Sequence, residues 1–302
     1  MASTTKKWLV GCGIGCTAMI VIAGLLGVGG VFLVRNIVDE FKTVDAELAA
    51  LQREFGEVTD FRPEPAGEIP PARLESFLEV RRLLEPARQE MSSTLDLFAK
   101  VDRSEYKPSP WEIIKLIKNG IGLVPAIGRF YLQRNESLQT AGMGLGEYHF
   151  LYVVIYYSWL GYSPADGPPF TLLGDEDEGE DDEEIGWECH FGDEDEEWVR
   201  ERREERLRKF LNPLMRSMLR HQLDDLTGTT AESASDAPGA SRDWQQELRA
   251  EIDALSEDDW RLPWEDGLPE IIENSLRPYR ETLMAGYDKL CNPLELGPPG
   301  CE

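Results

Sequence analysis

The sequence predicts an all-α protein, in which an N-terminal transmembrane helix precedes a helical, bundle-like extramembrane domain with an acidic disordered insertion. Three observations predict it. Residues 8–34 form one apolar stretch without an acid or a base, later apolar residues recur at helical spacing, and residues 174–197 hold fifteen acids and no Lys or Arg. The predicted regions are a cytoplasmic tail at 1–7, a transmembrane anchor at 8–34, a helical region at 35–173, an acidic low-complexity loop at 174–197 and a helical region at 198–302 with a flexible linker at 227–241.

The stretch at 8–34 predicts a retained anchor. As a helix its 27 residues extend about 40 Å, enough to cross a hydrocarbon core about 30 Å thick. A cleaved signal peptide would have an apolar region of only about 7–15 residues and a cluster of small residues at its exit. LVGC at 9–12 is similar to a lipoprotein box, but only four residues separate Lys7 from Cys12, so the length argues against lipid attachment.

The charges that flank the anchor predict its orientation. Lys6 and Lys7 precede it, and the positive-inside rule leaves a short basic tail in the cytoplasm. Arg35 and Lys42 follow it, so the margin is small, and the acids around them contribute little to the rule. We therefore expect a single-pass membrane protein with a cytoplasmic N-terminus and an extracytoplasmic C-terminal domain.

Small residues inside the anchor favour close packing of two helices. Gly11 and Gly15 form a GxxxG pair, and Ala23 and Gly27 repeat the same spacing. Such pairs let membrane helices approach closely, so they predict helix packing in the membrane and a homodimer formed through the anchor. The alternative is that glycine is simply common in membrane helices, which leaves the oligomeric state open.

The net charge limits the class of partner. The chain has 57 acids against 31 Lys and Arg residues, a formal net charge of −26. Binding to nucleic acid requires clustered Lys and Arg that neutralise phosphates. The sequence therefore predicts no nucleic-acid partner, and the expected partners are the membrane and an unknown protein.

The five cysteines do not form a disulfide framework. Cys12 and Cys16 lie in the anchor, which leaves Cys189, Cys291 and Cys301 for an oxidising compartment. Three is an odd number, and the spacing shows neither CxxC nor a regular pattern. Pairing of Cys291 with Cys301 stays open.

Behind the anchor, apolar residues predict that the helix continues as a rod. They stand four and three residues apart, at Phe41, Val44, Leu48, Leu51 and Phe55. About two and a half heptads are too few for a coiled coil, so we expect packing against the protein's own helices. FRPEPAGEIPP at 61–71 ends the rod, because proline lacks the backbone donor that a helix needs.

Two helices are predicted next. The first covers about 72–101, and one charged residue, Arg81, lies on its apolar side. Pro86 is expected to kink or divide this helix. The second begins at SPWE (109–112), where serine is the cap and Pro110 stands in the first turn.

A basic segment at 106–134 is unusual for this acidic chain. It has five Lys and Arg side chains against one Glu, and Trp and Ile stand between the charges. That pattern suits a helix lying on an anionic bilayer. Gly120, Gly122 and Gly128 weaken a long interfacial helix, so we favour an ordinary core helix and leave contact with the bilayer open.

The most apolar part beyond the anchor, residues 141–162, predicts a helix buried on most sides. Its apolar run at 150–160 is too short to span a bilayer, and no alternation of strands and helices supports a strand. Glu147, Tyr148 and His149 stand at its entrance and are the candidate catalytic residues, because a carboxylate and an imidazole can serve as general acid and base. Without a partner motif such residues more often form a satisfied core pair.

The acidic loop at 174–197 predicts a solvated, self-repelling segment and no metal site. A calcium loop of the EF-hand type needs glycine at its sixth position behind oxygen ligands, and neither Gly179 nor Gly186 satisfies that pattern. Cys and His at 189–190 lack the further pair of ligands that zinc needs. We expect no metal and no other cofactor.

The C-terminal third is predicted to be helical with interruptions. Helical periodicity covers 198–226, the composition of 227–241 is that of a flexible linker, short helices are expected near 243–256 and 269–287, and the last residues, 291–302, are expected to have no helix.

Several blocks of the sequence resemble a known group of proteins. AGMGLGEYHFLYVVIYYSWLG at 141–161, RLPWEDGLPEIIENSLRPYR at 261–280 and NPLEL at 292–296, behind KKWLVGCGIGC at 6–16, are similar to an uncharacterised family of bacterial single-span membrane proteins with this type of anchor. The resemblance implies a bacterial origin and a location in the cell envelope. It supplies no catalytic residue.

Two functions stay open. The first is a non-enzymatic binding or organising module, because the sequence contains no catalytic triad, phosphate loop, metal motif or thiol motif. The second is a membrane-bound enzyme with a site around Glu147, Tyr148 and His149. An open polar cleft that holds both Glu147 and His149 would favour the enzyme, whereas a dry core would favour the module. We favour the module.

Overall fold

The computed structural model describes residues 43–102, 110–168, 196–232 and 240–297. The chain divides into two compact units, residues 1–46 and 47–302. Of the first unit only residues 43–46 are described, and they are helical. Outside the described residues lie the predicted anchor at 8–34, with Gly11, Gly15, Ala23 and Gly27, and the acidic loop up to residue 195. In the described part of the chain, no helix is both long enough and apolar enough to cross a bilayer.

Every described element is a helix, and the described ranges contain no strand, which confirms the all-α prediction. In the second unit, α1 covers residues 47–55. It is followed by a 3-10 turn (Val58–Asp60), α2 (Pro71–Asp102), α3 (Pro110–Thr140), α4 (Leu145–Tyr152), a π-helical segment (Val153–Trp159), α5 (Glu196–Glu232), α6 (Ala240–Glu257), α7 (Glu270–Leu276), a 3-10 turn (Arg277–Tyr279), α8 (Arg280–Ala285) and α9 (Asn292–Glu295).

The early part of the second unit follows the predictions. Leu51 of α1 is buried in the common core with Phe55 packed against it, so this stretch packs on the protein's own helices as expected. Residues 61–70 are not helical, and α2 begins at Pro71. Pro86 lies inside α2 without dividing it.

α4 and the π-helical segment form the centre of the core. Residues 148–157 are all buried, which confirms the prediction of a helix buried on most sides and excludes the alternative of a strand. α2 covers this centre with Leu74, Phe77 and Val80, and α5 covers it with Leu211, Met215 and Leu219. The hydrophobic effect therefore joins elements that are up to about 140 residues apart in the chain.

The π-helical segment places its side chains at different angles around the axis from those of an α-helix. A π turn closes its hydrogen bonds between residues five apart, one more than an α turn. Leu160 accordingly donates its backbone N–H to the carbonyl of Ile155, at 2.9 Å. Residues five apart then point to similar sides, and the hydroxyls of Tyr152 and Tyr157 both reach Asn292.

α3 has the buried face of a core helix. It begins at Pro110, as the SPWE motif predicts, and packs against α2. Phe130, Arg134 and Leu138 are buried on one side of its second half. This burial agrees with the core-helix interpretation of the basic segment for the part whose side chains are described.

Two details of the C-terminal third differ from the sequence prediction. α5 continues to Glu232, six residues into the predicted linker at 227–241, and α6 begins at Ala240. Leu226 is buried, so packing carries α5 past the point where composition favours a linker. The prediction that 291–302 has no helix is wrong, because Asn292–Glu295 forms a helical turn with proline in its first turn.

Cys291 is a buried free thiol, and Cys301 lies outside the described residues.

Candidate binding cleft

A cleft of about 180 Å³ opens beside the non-helical residues 61–70, which we call the rim loop. Its walls come from the rim loop, the start of α2, α4, α5 and α7. Its apolar floor consists of Phe61, Phe150, Leu151 and Ile272. The cleft therefore joins parts of the chain that the sequence alone does not place together.

Three side chains from other helices form hydrogen bonds with the backbone of the rim loop and hold it in place. Gln222 of α5 donates Nε2 to the carbonyl of Glu64 at 2.6 Å, and Trp244 of α6 donates Nε1 to the carbonyl of Pro65 at 2.9 Å. The backbone N–H of Ile69 donates to Oγ of Ser275 in α7, at 3.2 Å. Residues 61–70 form no helix, so these bonds satisfy backbone groups of the loop that a helix would otherwise pair. They fix the loop, and the cleft is therefore preformed.

The contact between the rim loop and α6 requires glycine. Gly67 has a φ of +81°, in the left-handed region that glycine adopts without strain. A Cβ at this position would lie 2.6 Å from the ring of Trp244. Glycine thus allows the loop to lie directly on the indole.

A second glycine places α4 against the chain that enters the rim loop. A Cβ added to Gly146 would lie 2.4 Å from the carbonyl oxygen of Val58. This close approach puts Phe150, one turn later, beside Phe61, with ring centroids 5.6 Å apart. The apolar floor is therefore built by backbone contact at the start of α4.

The edge of the cleft carries a net negative charge. Arg73 donates Nε to Oε1 of Glu147 at 2.6 Å and Nη2 to its other oxygen, and Arg62 pairs with Asp225 at 2.7 Å. Glu64 and Glu68 are exposed, and neither carboxylate is in an ion pair among the described residues. Both cationic side chains at the edge are thus neutralised, whereas two carboxylates are not.

One buried acceptor in the wall of the cleft has no hydrogen-bond partner in the part of the chain that the structure describes. Gln222 is only 2 % exposed, and its Oε1 has no hydrogen-bond partner among the described residues. The amide orientation follows from Nε2, which must be the atom that donates to the carbonyl of Glu64. This oxygen is closed to solvent, and a buried acceptor without a partner costs about 1–3 kcal/mol, so the bond from Nε2 to the rim loop is made at the expense of the other end of the amide.

The three candidate catalytic residues do not share one site. Glu147 lies at the cleft edge with Arg73, whereas Tyr148 is fully buried and contacts Arg81 and Glu295. His149 is also buried, with its ring edge toward Phe210 at 6.3 Å between centroids. Consecutive helical residues point about 100° apart, which explains the three separate environments.

His149 is held in its neutral form. Burial lowers the pKa of His149 to about 3, and the nearby Arg134 cation acts in the same direction. Neither ring nitrogen has a hydrogen-bond partner among the described residues. The imidazole is therefore uncharged at neutral pH and sits in the core.

A buried polar network lies about two turns further along α2 than the cleft edge. Arg81 pairs with Glu295 at 2.5 Å and donates Nη1 to the hydroxyl of Tyr148 at 2.8 Å. Tyr148 in turn donates to Oε2 of Glu295 at 2.7 Å, and Arg81 donates Nη2 to the carbonyl of Gly286 at 2.5 Å. Burial lowers the pKa of Arg81, but Glu295 and then Tyr148 outweigh it, and the net pKa lies well above its ordinary value.

Asn292 forms the second centre of this network. Its Oδ1 accepts from the hydroxyls of Tyr152 and Tyr157, at 2.9 Å each. Its Nδ2 donates to the carbonyls of Pro164 and Asp166, at 3.3 and 3.0 Å. The amide is thereby satisfied on both sides and ties the C-terminal turn to the core.

One residue, Arg81, signals this network in the sequence. An arginine on the apolar side of a helix needs a buried partner, but its partner is 214 positions later, at Glu295. Neither Glu295 nor Asn292 stands in a motif with known chemistry. The cleft residues likewise lack a motif, because their roles depend on tertiary contacts.

No group of three or more His, Cys, Asp and Glu side chains suited to a metal ion occurs in the described ranges. A comparison of the chain with protein families, with curated proteins and with solved structures finds no match.

Proposed function

We propose that this protein is a single-pass, membrane-anchored helical module of the bacterial envelope that binds a partner protein through the cleft beside the rim loop and catalyses no reaction. The observation that carries the proposal is the cleft itself. It combines an apolar floor, a rim that other helices hold in place, and two exposed carboxylates, Glu64 and Glu68, that have no ion pair among the described residues. Concave apolar sites with a few placed polar groups are typical of ligand binding.

The fixed rim supports binding rather than a mobile lid. Hydrogen bonds from one side chain each of α5, α6 and α7 hold the backbone of the rim loop. A site that is already ordered loses little conformational entropy when a partner binds. The cleft is therefore suited to recognising a short element of another protein.

The remaining parts of the proposal come from the sequence. The anchor at 8–34 supports membrane attachment with the helical domain outside the cytoplasm, and its small residues support a homodimer. The net charge of −26 argues against nucleic acid. Anchored in this way, the domain would hold its partner at the membrane surface.

The alternative of an enzyme gains no support from the geometry. Of its three candidate residues only Glu147 lines the cleft, where it binds Arg73. His149 is buried and neutral, and Tyr148 belongs to the network around Glu295. An acid–base pair needs both groups within reach of one substrate.

Photo-cross-linking tests the proposal in the full chain in its membrane. Glu68, at the cleft edge, is replaced by a photoreactive phenylalanine analogue, and Glu281, an equally exposed glutamate of α8, is replaced in the control. We expect a discrete adduct from position 68, whose mass spectrum identifies one peptide of one partner. The same adduct pattern from both positions, or none from position 68, would contradict the proposal.

A further inference from the structure

We infer that Tyr162 and Tyr287 form a modification site, at which a haem peroxidase acting with hydrogen peroxide joins the two rings by an intramolecular dityrosine bond. This inference does not rest on the proposed binding function. Three observations carry it: the rings are stacked, both are partly exposed, and one hydroxyl donates to a carboxylate.

The two rings are stacked face to face. Their centroids lie 4.0 Å apart, and their planes differ by 1°. Aromatic pairs in proteins more often lie edge-on or offset, with centroids about 4.5–7 Å apart. A dityrosine bond joins the carbons next to the two phenol oxygens, and parallel rings in contact turn the unpaired electron density of oxidised carbons toward each other. Tyr156 also contacts Tyr287, but at an angle of 44° between the planes.

The fold holds this contact in place. Tyr162 donates its backbone N–H to the carbonyl of Tyr156 at 2.9 Å, at the end of the π-helical segment. The carbonyl of Gly286, directly before Tyr287, accepts from Nη2 of Arg81 at 2.5 Å. The two tyrosines are 125 positions apart in the chain, so their rings meet because of the fold and not because of the local sequence.

Both rings of the pair are within reach of an oxidant in solution. Tyr162 and Tyr287 are each half-buried. An electron can leave a ring at this depth without entry of the oxidant into the protein. The tyrosines that continue the aromatic cluster inward, Tyr148, Tyr152 and Tyr156, are 0 % exposed. The stacked pair is therefore the part of the cluster that an external oxidant reaches.

Asp166 supplies the proton acceptor that oxidation of Tyr287 requires. The hydroxyl of Tyr287 donates to Oδ2 of Asp166 at 3.0 Å, and Lys289 pairs with Oδ1 at 3.4 Å. Burial raises the pKa of Tyr287, and Tyr157 and Asp166 act in the same direction. The phenol is thus protonated at neutral pH and loses its proton to the carboxylate when it loses an electron. Tyr156, by contrast, has no acceptor for its hydroxyl proton among the described residues.

The reaction balances with hydrogen peroxide as the oxidant. Each ring gives one electron to the peroxidase and loses one proton, Tyr287 to the carboxylate of Asp166 and Tyr162 to water. The two phenoxyl radicals then form one carbon–carbon bond, and the hydrogen on each bonded carbon moves to its phenol oxygen. Hydrogen peroxide takes up the two electrons and the two protons and is reduced to two waters.

Mass spectrometry of the full chain in detergent micelles tests the inference. The protein is treated at low concentration with a haem peroxidase and hydrogen peroxide, and monomers are separated from cross-linked oligomers by size under denaturing conditions. We expect the monomer to lose two hydrogens in mass and to gain the fluorescence of dityrosine. Digestion should give a peptide that contains residue 162 joined to a peptide that contains residue 287.

Single variants locate the bond and the proton acceptor. Tyr162→Phe and Tyr287→Phe should each abolish the change in the monomer, whereas Tyr279→Phe, which removes another half-buried tyrosine, should leave it intact. Asp166→Asn keeps an acceptor for the hydroxyl of Tyr287 but removes the base, and should slow cross-linking about 10-fold or more. Circular dichroism checks that each variant is folded.

The results that would overturn the inference are specific. They are a wild-type monomer of unchanged mass, a bond between tyrosines other than the stacked pair, and a bond that persists in Tyr287→Phe. An unchanged rate in Asp166→Asn would overturn the assignment of Asp166 as the proton acceptor.

Discussion

Two arginines of α2 form ion pairs of the same chemistry in opposite environments. Arg73 binds Glu147 at the cleft edge, where the two side chains are 34 % and 13 % exposed. About two turns later, Arg81 binds Glu295 in the core, where the side chains are 3 % and 0 % exposed. Arg81 also donates to the hydroxyl of Tyr148, the residue that follows Glu147, so one turn of α4 serves both sites.

The difference separates a pair that shapes a binding surface from a pair that determines the fold. Charges near solvent gain little from pairing, because water screens them and already solvates them. Charges in the core have lost that solvation, so each needs its partner. The buried pair therefore fixes the C-terminal turn, while the pair at the edge sets the charge and position of a cleft wall.

The largest effect is expected from Glu295→Gln, which leaves the Arg81 cation buried without an anion. Breaking a buried pair from one side costs about 3–5 kcal/mol, and we expect the lower part of that range because an amide can still accept from Tyr148. Urea unfolding of the full chain in detergent measures the loss.

A matched triple variant sharpens this test. Arg81→Met with Glu295→Leu removes both charges, and Tyr148→Phe removes the buried hydroxyl that bonds to both of them. The triple variant should recover most of the stability lost in Glu295→Gln, because apolar replacements of a whole buried pair are often neutral. A loss below about 1 kcal/mol in Glu295→Gln would mean that solvent reaches the pair and that the contrast with Arg73 is incorrect.

The next effect concerns His149 and depends on pH. Its pKa is about 3 in the folded protein and about 6.5 when unfolded, so below pH 6.5 the unfolded chain binds a proton that the folded protein does not. His149 therefore does not lower the free energy of unfolding above pH 6.5. It lowers that free energy progressively as the pH falls from 6.5 toward 3. Relative to His149→Leu, the wild type should lose about 2 kcal/mol between pH 6.5 and 4.5.

Unfolding curves of both proteins at several pH values measure this difference. Both proteins have the same carboxylates, so the effect of carboxylate titration on stability cancels in the comparison. At pH 7 the variant should be as stable as the wild type or slightly more stable, since neither ring nitrogen has a partner among the described residues. A difference that does not change with pH would show that His149 becomes protonated in the folded state.

The sequence predicts the helices of this fold better than it predicts the contacts of the cleft edge and of the buried network. Periodicity predicted the helical class and the buried helix at 141–162, and proline predicted the break at 61–71, because each is set by residues that are close together in the chain. It could not predict that Glu295 would meet Arg81 or that Gln222 would hold the rim loop, since these contacts join residues more than 150 positions apart. It also missed the helical turn at Asn292–Glu295, which tertiary burial stabilises despite its short length.

A smaller effect is expected in the core at Asn292. Tyr157→Phe removes one of the two hydrogen bonds to Oδ1 of Asn292 and should lower the free energy of unfolding by about 1 kcal/mol. Tyr152→Phe removes the other and should have about the same effect. The double variant leaves the buried acceptor without either donor. Its loss, measured by urea unfolding, should exceed the sum of the two single losses, and simple additivity would contradict the shared-acceptor arrangement.

The smallest effect is expected from Glu147→Gln, the same chemical change as Glu295→Gln but at the cleft edge. The amide can still accept from Arg73, whose Nη2 also donates to the carbonyl of Gly142 at 3.1 Å, so we expect a loss below about 1 kcal/mol. This loss should shrink in high salt, because the pair is partly exposed, whereas the loss in Glu295→Gln should not. Unfolding of both variants at low and high salt measures the contrast. A loss in Glu147→Gln that equals that of Glu295→Gln and does not respond to salt would mean that the edge pair, like the core pair, determines the fold.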